Sequence, residues 1–523
     1  MITKFLKLFF FIILFYQSPL YSKSKTLSEF NSRYLSNYFS GIVAYDNQNN
    51  KQALKFFKSS KFLVKKHDPY LKKYIYSLVL ENKIQKATSE IKLNLRNNNS
   101  NFFEAYLILA LDSLNNKNFK KSQNYLDKSF GFIDNDRFSL IIYETFKEYL
   151  IVFRKNKIPK KKKRFGNLSF INEVFQRCYL EDENTNNYFQ SLINNQNDME
   201  YSRYIFFYIH YLVKNNKLEE AKQITSNLDF LGTPLLVSQG RAWVEKKNLE
   251  EFEKVFSCQN PSDVLSEFFY LIANLYTAQG EYKNSNFYLN ISQHLNPKFK
   301  FNLSLLVENY YSINNYKKAK FFLNRYNKED DLYHWFKLKK EAQIISKELS
   351  DEEGLNFINK NFEKINNPSV NMIFDIANFN KNLKKYKEAI FYYDKILSYK
   401  NIDLSLYSEI LYRRGSSYER LGDYYNADKD LLRSLDINPD DAYVLNYLAY
   451  SWLERDYKIN SAIQMLEKAY KLKSNDPYII DSIGWAYFLI NDFLKAEKFL
   501  KRAVELMPND PVVNDHYGDI LWK

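Results

Sequence analysis

The feature that most constrains this chain is an internal repeat near its C-terminus. Small residues recur at Gly415, Ala449, Gly484 and Gly518, at spacings of 34, 35 and 34 residues. A large aromatic residue follows each of the first three small residues at the third position. A repeat of this length is typical of stacked helix pairs, because one pair of helices cannot bury its own apolar face.

The residue types within one unit explain how its two helices can pair. Small residues such as Gly415 and Ala427 let two backbones approach, and Tyr418 and Leu431 fill the space beside them. Pro439 cannot continue a helix, so it ends the unit. The whole chain has only 11 glycines but 43 phenylalanines and 44 tyrosines, which favours a long helical interior over hairpins and barrels. We therefore predict an all-α fold, a right-handed α-solenoid of stacked antiparallel helix pairs.

The pattern resembles the tetratricopeptide repeat (TPR) family, whose period is about 34 residues. The matching positions are the small residue of the first helix, the aromatic residue three later, the small residue of the second helix and the terminal proline. The stretches LNYLAYSW, DSIGWAY and DPVVNDHYGDILW also resemble the C-terminus of long exported TPR proteins of Gram-negative bacteria. This resemblance implies a fold and a location, and it implies no particular chemistry.

The repeat is strong at the C-terminus and weakens toward the N-terminus, which predicts five segments. They are a signal peptide at 1–22, a degenerate TPR-like helical block at 23–150, a basic linker at 151–168, helical repeats at 169–405 that are moderately TPR-like from 266, and a well-formed TPR array at 406–523. The array is predicted to end in a capping helix from Pro511 to Lys523, a first helix without its second, with Trp522 packed on the preceding pair.

The N-terminus has the pattern of an export signal. Lys4 and Lys7 precede an apolar block from Leu8 to Tyr16, which Pro19 and small polar residues follow. The block is well short of the roughly 20 residues that span a bilayer. We therefore expect a periplasmic or extracellular protein, with an uncleaved inner-membrane anchor as the alternative.

The formal net charge is +14, which favours anionic partners, although a basic surface also serves solubility. The densest basic run ends at Lys160–Arg164, and Pro159 and Gly166 indicate a loop there. A solvated linker is the favoured interpretation, and peripheral contact of Lys160–Arg164 with an anionic membrane surface is the alternative. Nucleic acid is not an expected partner, since the export signal argues against it.

The sequence offers no pattern of catalytic or metal-binding residues. The five histidines form no H-E-x-x-H motif, and no phosphate loop or nucleophile elbow is present. We therefore predict no enzyme activity, no cofactor and no metal, and we expect His516, beside Asp515 and Asp519, to be a surface polar residue. Cys178 and Cys258 lack metal-ligand spacing, and whether they pair cannot be inferred from sequence.

The resemblance to TPR arrays implies a partner-binding groove lined by the first helix of each pair. Positions three before and one after the small residue face the groove in such arrays. The candidate partner-binding residues are Tyr412, Asn446, Tyr450, Asp481, Trp485, Asp515 and Asp519. This set predicts an aromatic and acidic groove, with Asp481 and Asp515 exposed, which suits an extended peptide that carries Lys or Arg.

The predicted function is a non-enzymatic interaction scaffold or adaptor of the bacterial cell envelope. The alternative is a helical substrate-holding subunit of an envelope enzyme or a polysaccharide-export complex. The lysine-rich clamp that some TPR domains use for C-terminal carboxylates is not matched by the groove positions of this chain.

Overall fold

The computed structural model describes residues 32–65, 67–95, 101–133, 137–159, 164–194, 202–228, 233–326, 331–399 and 402–523. The predicted signal peptide at 1–22 and residues 160–163 of the basic run lie outside these ranges. The described residues form α-helices, two short 3-10 helices and no strand, so the predicted all-α fold of stacked helix pairs is confirmed. No helix in the described ranges is both long and apolar enough to cross a bilayer.

The first half of the described chain contains thirteen short and medium-length helices. They are α1 (Ser32–Asp46), α2 (Asn50–Ser59), α3 (Asp68–Leu80), α4 (Ile84–Asn94), α5 (Phe103–Asn115), α6 (Phe119–Ser129), α7 (Arg137–Lys155), α8 (Asn167–Leu180), α9 (Thr185–Asn194), α10 (Ser202–Lys214), α11 (Leu218–Ser226), α12 (Leu235–Glu245) and α13 (Glu250–Val255). The 3-10 helices are Lys61–Lys65 and Phe130–Phe132.

The second half is more regular. Its helices are α14 (Pro261–Ala278), α15 (Tyr282–Leu295), α16 (Asn302–Ser312), α17 (Tyr316–Leu323), α18 (Asp331–Glu348), α19 (Asp351–Phe362), α20 (Val370–Asn382), α21 (Tyr386–Leu397), α22 (Leu404–Arg420), α23 (Tyr424–Ile437), α24 (Ala442–Leu453), α25 (Ile459–Leu472), α26 (Pro477–Leu489), α27 (Phe493–Leu506) and α28 (Pro511–Trp522).

The chain divides into two compact units that do not follow simple sequence order. One unit takes the described residues up to 211 and those of 248–322, and the other takes the described residues of 212–247 and 323–523. The five segments predicted from the sequence stay a prediction, because they concern repeat quality rather than compactness.

The first unit joins segments that are far apart in sequence. The Tyr76 ring of α3 stacks on Phe287 of α15 with centroids 4.4 Å apart, and Lys318 Nζ lies 2.6 Å from Glu81 Oε1. In a plain linear array each repeat contacts only its neighbours. Here α14 and α15 pack against helices of the N-terminal block, so this unit is more compact than a linear stack of pairs.

Two covalent or ionic links fix the middle of the first unit. Cys178 and Cys258 form a disulfide with Cα atoms 5.7 Å apart, which answers the question that the sequence left open. Arg203 donates two hydrogen bonds to Glu267, at 2.7 and 2.6 Å, and its guanidinium lies 3.6 Å from the centre of the Tyr270 ring. Because Glu267 is almost fully buried, removal of Arg203 would leave an uncompensated charge.

The C-terminal repeats of the second unit pair as the sequence predicts. A Cβ built on Gly415 would lie 3.0 Å from Leu431 Cγ, and one on Gly484 would lie 2.8 Å from Leu500 Cγ. A Cβ at either position would crowd the leucine of the second helix, so glycine favours the close approach of the two helices. Ala496 is fully buried, which agrees with its predicted place at the contact between α26 and α27.

Candidate functional site

The first helices of successive C-terminal pairs, α22, α24, α26 and α28, contact one another in order. Residues three before and one after the small position are four apart, so they share one side of each helix. We call this side the first-helix face, defined by the seven candidate partner-binding residues. Its members are Tyr412, Asn446, Tyr450, Asp481, Trp485, Asp515 and Asp519.

The centre of the first-helix face is a compact cluster around His516. His516 Nδ1 lies 2.9 Å from Asp481 Oδ2, and the imidazole stacks on the Trp485 ring with centroids 4.3 Å apart. Asp481 is only 5% exposed and His516 only 6%. The predictions that Asp481 is exposed and that His516 is a surface residue are therefore wrong, because each side chain covers the other across the junction of α26 and α28.

Trp485 and Tyr450 form the partly open edge of this cluster. The indole Nε1 of Trp485 lies 3.3 Å from Glu454 Oε1, and the Tyr450 ring centre lies 6.4 Å from that of His516. Burial and the nearby carboxylates of Glu454 and Asp481 raise the pKa of Tyr450 to about 12. Tyr450 is therefore a neutral hydroxyl at physiological pH, able to donate as well as accept.

Tyr412 and Asn446 lie toward the other end of the face. The Tyr412 ring meets the Tyr447 ring edge-on at 5.8 Å, and the Tyr447 hydroxyl donates to Glu419 Oε2 at 2.7 Å. Burial is the main cause that raises the pKa values of both tyrosines. This end is consequently a half-buried aromatic surface on which the Tyr447 hydroxyl is already paired.

A second register position, two before the small residue, links consecutive first helices. This position is occupied by Arg413, Tyr447 and His516, and each side chain contacts the preceding first helix. Arg413 Nη1 donates to Asn378 Oδ1 at 3.4 Å, Tyr447 donates to Glu419, and His516 pairs with Asp481. Sequence analysis overlooked these residues. Arg413 and Tyr447 lie one repeat apart and Tyr447 and His516 lie two repeats apart, and this spacing is the signal that could have identified them.

The junction between α24 and α26 departs from this rule. Ser482 occupies the linking position, and its short side chain donates to Tyr478 of its own helix at 2.9 Å instead of reaching α24. Asn446 Oδ1 is buried and has no hydrogen-bond partner among the described residues, and the same holds for Asp481 Oδ1. Two buried acceptors without donors lie on this part of the face, where unpaired polar atoms are costly.

The charged residues at the two ends of the face differ in sign. Asp515 and Asp519 of α28 are exposed, as predicted for Asp515. At the other end, Lys381 of α20 lies 5.9 Å from the centre of the Tyr412 ring. Burial and the positive charges of Arg413 and Arg420 lower the pKa of Lys381 to about 8. The face is therefore basic near α20 and acidic near α28.

Other predicted features of the site have mixed outcomes. Trp522 is 91% exposed, so the prediction that it packs on the preceding pair is wrong. Arg164, the described end of the basic run, is exposed and lies 3.6 Å from Glu173. No cluster of three or more metal-ligating side chains occurs within the ranges that the structure describes.

These features define the chain as an all-α protein of stacked helix pairs with a mixed aromatic and charged face. The tetratricopeptide repeat family profile matches residues 370–403, 408–441 and 479–510. These ranges coincide with the pairs α20–α21, α22–α23 and α26–α27. The chain therefore contains tetratricopeptide repeats in these three ranges, as the resemblance implied.

One curated relative is TPR repeat-containing protein PA4667 of Pseudomonas aeruginosa. It is 34% identical over 110 residues, which are 21% of this chain and 18% of the relative. The match therefore spans less than a fifth of that relative's length, and it carries no statement about the activity of the whole protein.

Solved TPR structures are similar over limited regions. MamA from Desulfovibrio magneticus RS-1 is 19% identical, with 34% of this chain and 97% of that chain covered and a TM-score of 0.28. TTC0263, a thermophilic TPR protein of Thermus thermophilus, is 14% identical, with 36% and 100% covered and a TM-score of 0.30. A first TPR of Spaghetti (RPAP3) bound to the HSP90 peptide SRMEEVD is 21% identical, with 24% and 97% covered and a TM-score of 0.22. Scores this low carry no argument about function.

Proposed function

We propose that this protein is an exported, non-enzymatic scaffold or adaptor of the bacterial cell envelope that binds a protein or peptide on its first-helix face. The observation that carries the proposal is the composition of the accessible part of the first-helix face, which combines the half-buried rings of Tyr450 and Trp485 with the exposed carboxylates of Asp515 and Asp519. Rings and charges on one face suit the side chains of a bound peptide segment.

The charge of the face indicates which peptides it favours. Glu454, Asp515 and Asp519 supply exposed carboxylates near the α26–α28 end, whereas Asp481 is buried against His516. A Lys or Arg side chain would be attracted to these carboxylates. Exposed charges are screened by salt, so we expect binding at this end to weaken as ionic strength rises.

The disulfide supports the proposed location. Disulfides persist in the bacterial periplasm and outside cells, and they are rare in the cytosol. The Cys178–Cys258 bond therefore agrees with the export signal predicted at 1–22.

Export has its own test. Leu14→Arg puts a charge into the apolar block, which costs about 2.5–3.5 kcal/mol on membrane insertion, so the variant should stay in the cytoplasm. Recovery of the variant from the periplasm in normal amounts would refute the predicted signal.

Partner binding is tested by co-purification from an envelope fraction. Asp515→Lys with Asp519→Lys reverses two exposed charges on the face without touching the core, and we expect recovery of the partner to fall several-fold. Tyr425→Ala removes a ring that is 80% exposed on the second helix α23, so it serves as the matched control. Equal recovery with wild type and the double variant would exclude the first-helix face as the binding surface.

The identity of the recovered proteins separates the two functions under consideration. Assembly, secretion or protease components support the scaffold. Glycan-synthesis or export components support the alternative, a substrate-holding subunit. The half-buried rings of Tyr412 and Tyr450 give that alternative its own basis, because sugars also bind to aromatic surfaces.

A further inference from the structure

Most of the positive charge of this chain lies in its first three helix pairs. Residues 32–133 contain seventeen Lys and Arg against seven Asp and Glu, which is a net charge of +10 out of +14 for the whole chain. Between Asn47 and His67 there are six lysines and no acidic residue. A local excess of this kind creates a field that attracts anionic partners.

The repeat register shows on which side of the helices these lysines lie. Ala53, Ala87 and Ser122 of the second helices α2, α4 and α6 are fully buried at spacings of 34 and 35 residues. They mark the side that faces the first helix, since Ser122 Oγ donates to the Ala110 carbonyl of α5 at 2.8 Å.

Exposed lysines lie on the remaining sides of the same three helices or at their first residues. They are Lys51, Lys55, Lys58, Lys83, Lys86, Lys117, Lys120, Lys121 and Lys128. We call these nine residues the basic face. Asp127 is the one exposed acidic residue within α2, α4 and α6, and Glu90 is buried. The outward surface of the three second helices is therefore almost purely cationic.

On α2 three lysines repel one another without compensation. Lys51, Lys55 and Lys58 are spaced four and three residues apart, so they share one side of the helix. None of their amines has an ion pair or a hydrogen bond with any residue that the structure describes. Like charges at these spacings destabilise a helix. An anionic partner would remove this repulsion, which favours a binding role for the basic face.

An exposed apolar side chain lies at the end of each of these second helices. Leu93 in the last turn of α4 is 71% exposed, and Phe62 and Phe130, in the 3-10 helices that follow α2 and α6, are 49% and 54% exposed. Lys61 Nζ lies 2.8 Å from Glu90 Oε1, which brings the end of α2 against α4. Because stacked pairs place equivalent helix ends along one edge, we expect the three apolar side chains to border the basic face together.

The first-helix side of these pairs is already occupied by the chain itself. Helix α15 packs on α3, where the Tyr76 and Phe287 rings stack with centroids 4.4 Å apart, and α14 packs on α5. The side that would form a peptide groove in a TPR array is therefore covered in this block. Its second-helix side is the one that stays accessible to a partner.

We propose that the basic face is a docking surface for a lipid bilayer that contains anionic phospholipids. The nine ammonium groups would lie against lipid phosphates, and Phe62, Leu93 and Phe130 would enter the boundary between headgroups and acyl chains. The inference goes beyond the proposed partner binding, because no residue of the first-helix face takes part in it.

The composition of the basic face favours a bilayer over other polyanions. All nine cations are lysines, whereas specific phosphate recognition in nucleic acids relies on the planar, bidentate guanidinium of Arg. An exposed leucine such as Leu93 cannot stack on a base, and it gains most by entering hydrocarbon. The cations are spread over three helices, which suits lipids, because lipids move sideways to meet each cation.

Co-sedimentation of the full chain with vesicles tests the proposal. One vesicle preparation is phosphatidylcholine alone, and in the other phosphatidylglycerol replaces roughly a third of it. We expect at least tenfold stronger partition into the anionic vesicles, and loss of most of this difference at about 0.5 M NaCl, because salt screens exposed charges. The predicted signal at 1–22 is present in every protein compared, so it cannot account for differences between variants.

The variant Lys51→Gln with Lys55→Gln and Lys58→Gln removes three charges from the basic face. Each lysine close to an anionic surface contributes about fivefold in affinity, so we expect partition to fall more than tenfold. The three side chains are exposed and unpaired, so the fold should be kept, which circular dichroism checks.

The matched control removes the same charge from other second helices. Lys429→Gln, Lys471→Gln and Lys501→Gln change exposed lysines of α23, α25 and α27, and partition should stay within about twofold of wild type. Leu93→Ser tests the apolar contribution. It should weaken partition several-fold and leave the salt dependence unchanged, because no charge is lost.

Five results would overturn the proposal. They are equal partition of wild type and the α2 variant, an equal loss in the control variant, and equal partition of wild type into both kinds of vesicle. The fourth is a loss that occurs only when Lys160–Arg164 are changed to glutamine, which would place membrane contact in that run. The fifth is binding to a DNA duplex that is tighter than binding to vesicles and is lost in the α2 variant, which would assign the basic face to nucleic acid.

Discussion

At the scale of single residues, the register of the repeat predicts packing well and exposure poorly. Gly415, Gly484 and Ala496 lie where the 34-residue pattern puts them. The exposure of Asp481 was predicted wrongly because it depends on His516, a residue of the next repeat, and no single-repeat pattern contains that neighbour. Contacts between adjacent first helices become predictable only when equivalent positions of successive repeats are compared.

The two C-terminal glycines provide a matched pair of stability variants. Gly484→Ala would place a Cβ 2.8 Å from Leu500 Cγ and 3.0 Å from its backbone nitrogen, so we expect the free energy of unfolding to fall by about 1–3 kcal/mol. Gly518→Ala meets open space and should raise it by up to about 1 kcal/mol through helix propensity. Urea denaturation measures both changes, and equal effects at the two positions would show that the assigned register is wrong.

Lys381 should give a pH-dependent stability. Its pKa falls from 10.5 to about 8 in the folded chain, so the buried charge opposes folding at all pH values below 8. Between pH 8 and 10.5 the unfolded chain holds a proton that the folded chain has released, so stability rises with pH there. Lys381→Met removes this contribution.

We therefore expect Lys381→Met to be more stable than wild type at pH 7, by on the order of 2 kcal/mol, with the difference shrinking above pH 8. Denaturation of both proteins at a series of pH values measures this difference in the free energy of unfolding. Groups that titrate in the same way in both proteins do not contribute to the difference. A constant difference between pH 7 and 10 would contradict the lowered pKa. Direct titration of the side-chain amine by NMR gives an independent value.

At the scale of helices, the C-terminal elements follow directly from local signals. Asp441, Asp476 and Asp510 recur at the repeat spacing, and each accepts hydrogen bonds from two backbone N–H groups at the start of a first helix. Local caps of this kind can be recognised from sequence. The packing of α14 and α15 on the N-terminal block cannot, because it joins residues such as Tyr76 and Phe287 that no local pattern connects.

The cap at Asp476 should contribute measurably to the array. Its carboxylate accepts from the N–H groups of Tyr478 and Ile479 at 3.0 and 3.2 Å. Asp476→Ala should lower the free energy of unfolding by about 1 kcal/mol, and Asp476→Asn should change it little, because asparagine caps helices as well as aspartate does. If both variants lost the same amount in urea denaturation, charge rather than capping would be the cause.

At the scale of the whole molecule, the two units differ in how they are stabilised. The unit that contains 212–247 and 323–523 includes the three matched TPR pairs, and its helices from α20 to α28 pack on their neighbours in sequence order. In the other unit, which contains the described residues up to 211 and those of 248–322, α14 and α15 pack against earlier helices. This unit also contains the Cys178–Cys258 disulfide and the buried Arg203–Glu267 pair. Its composition indicated helices, but long-range pairing of this kind is set by tertiary packing rather than by periodicity.

The disulfide closes a loop between residues 80 apart in sequence, so its loss should destabilise the first unit selectively. A cross-link of this kind restricts the unfolded chain and typically contributes about 2–4 kcal/mol.

In Cys178→Ser with Cys258→Ser, hydrogen exchange should quicken in α8 and α14, which flank the bond, while α26 and α27 keep wild-type protection. Each single serine variant under reducing conditions is the control and should match the double variant, because the bond is absent in all three. If protection fell equally in both units, they would unfold as one cooperative block, and the selective role of the disulfide would be refuted.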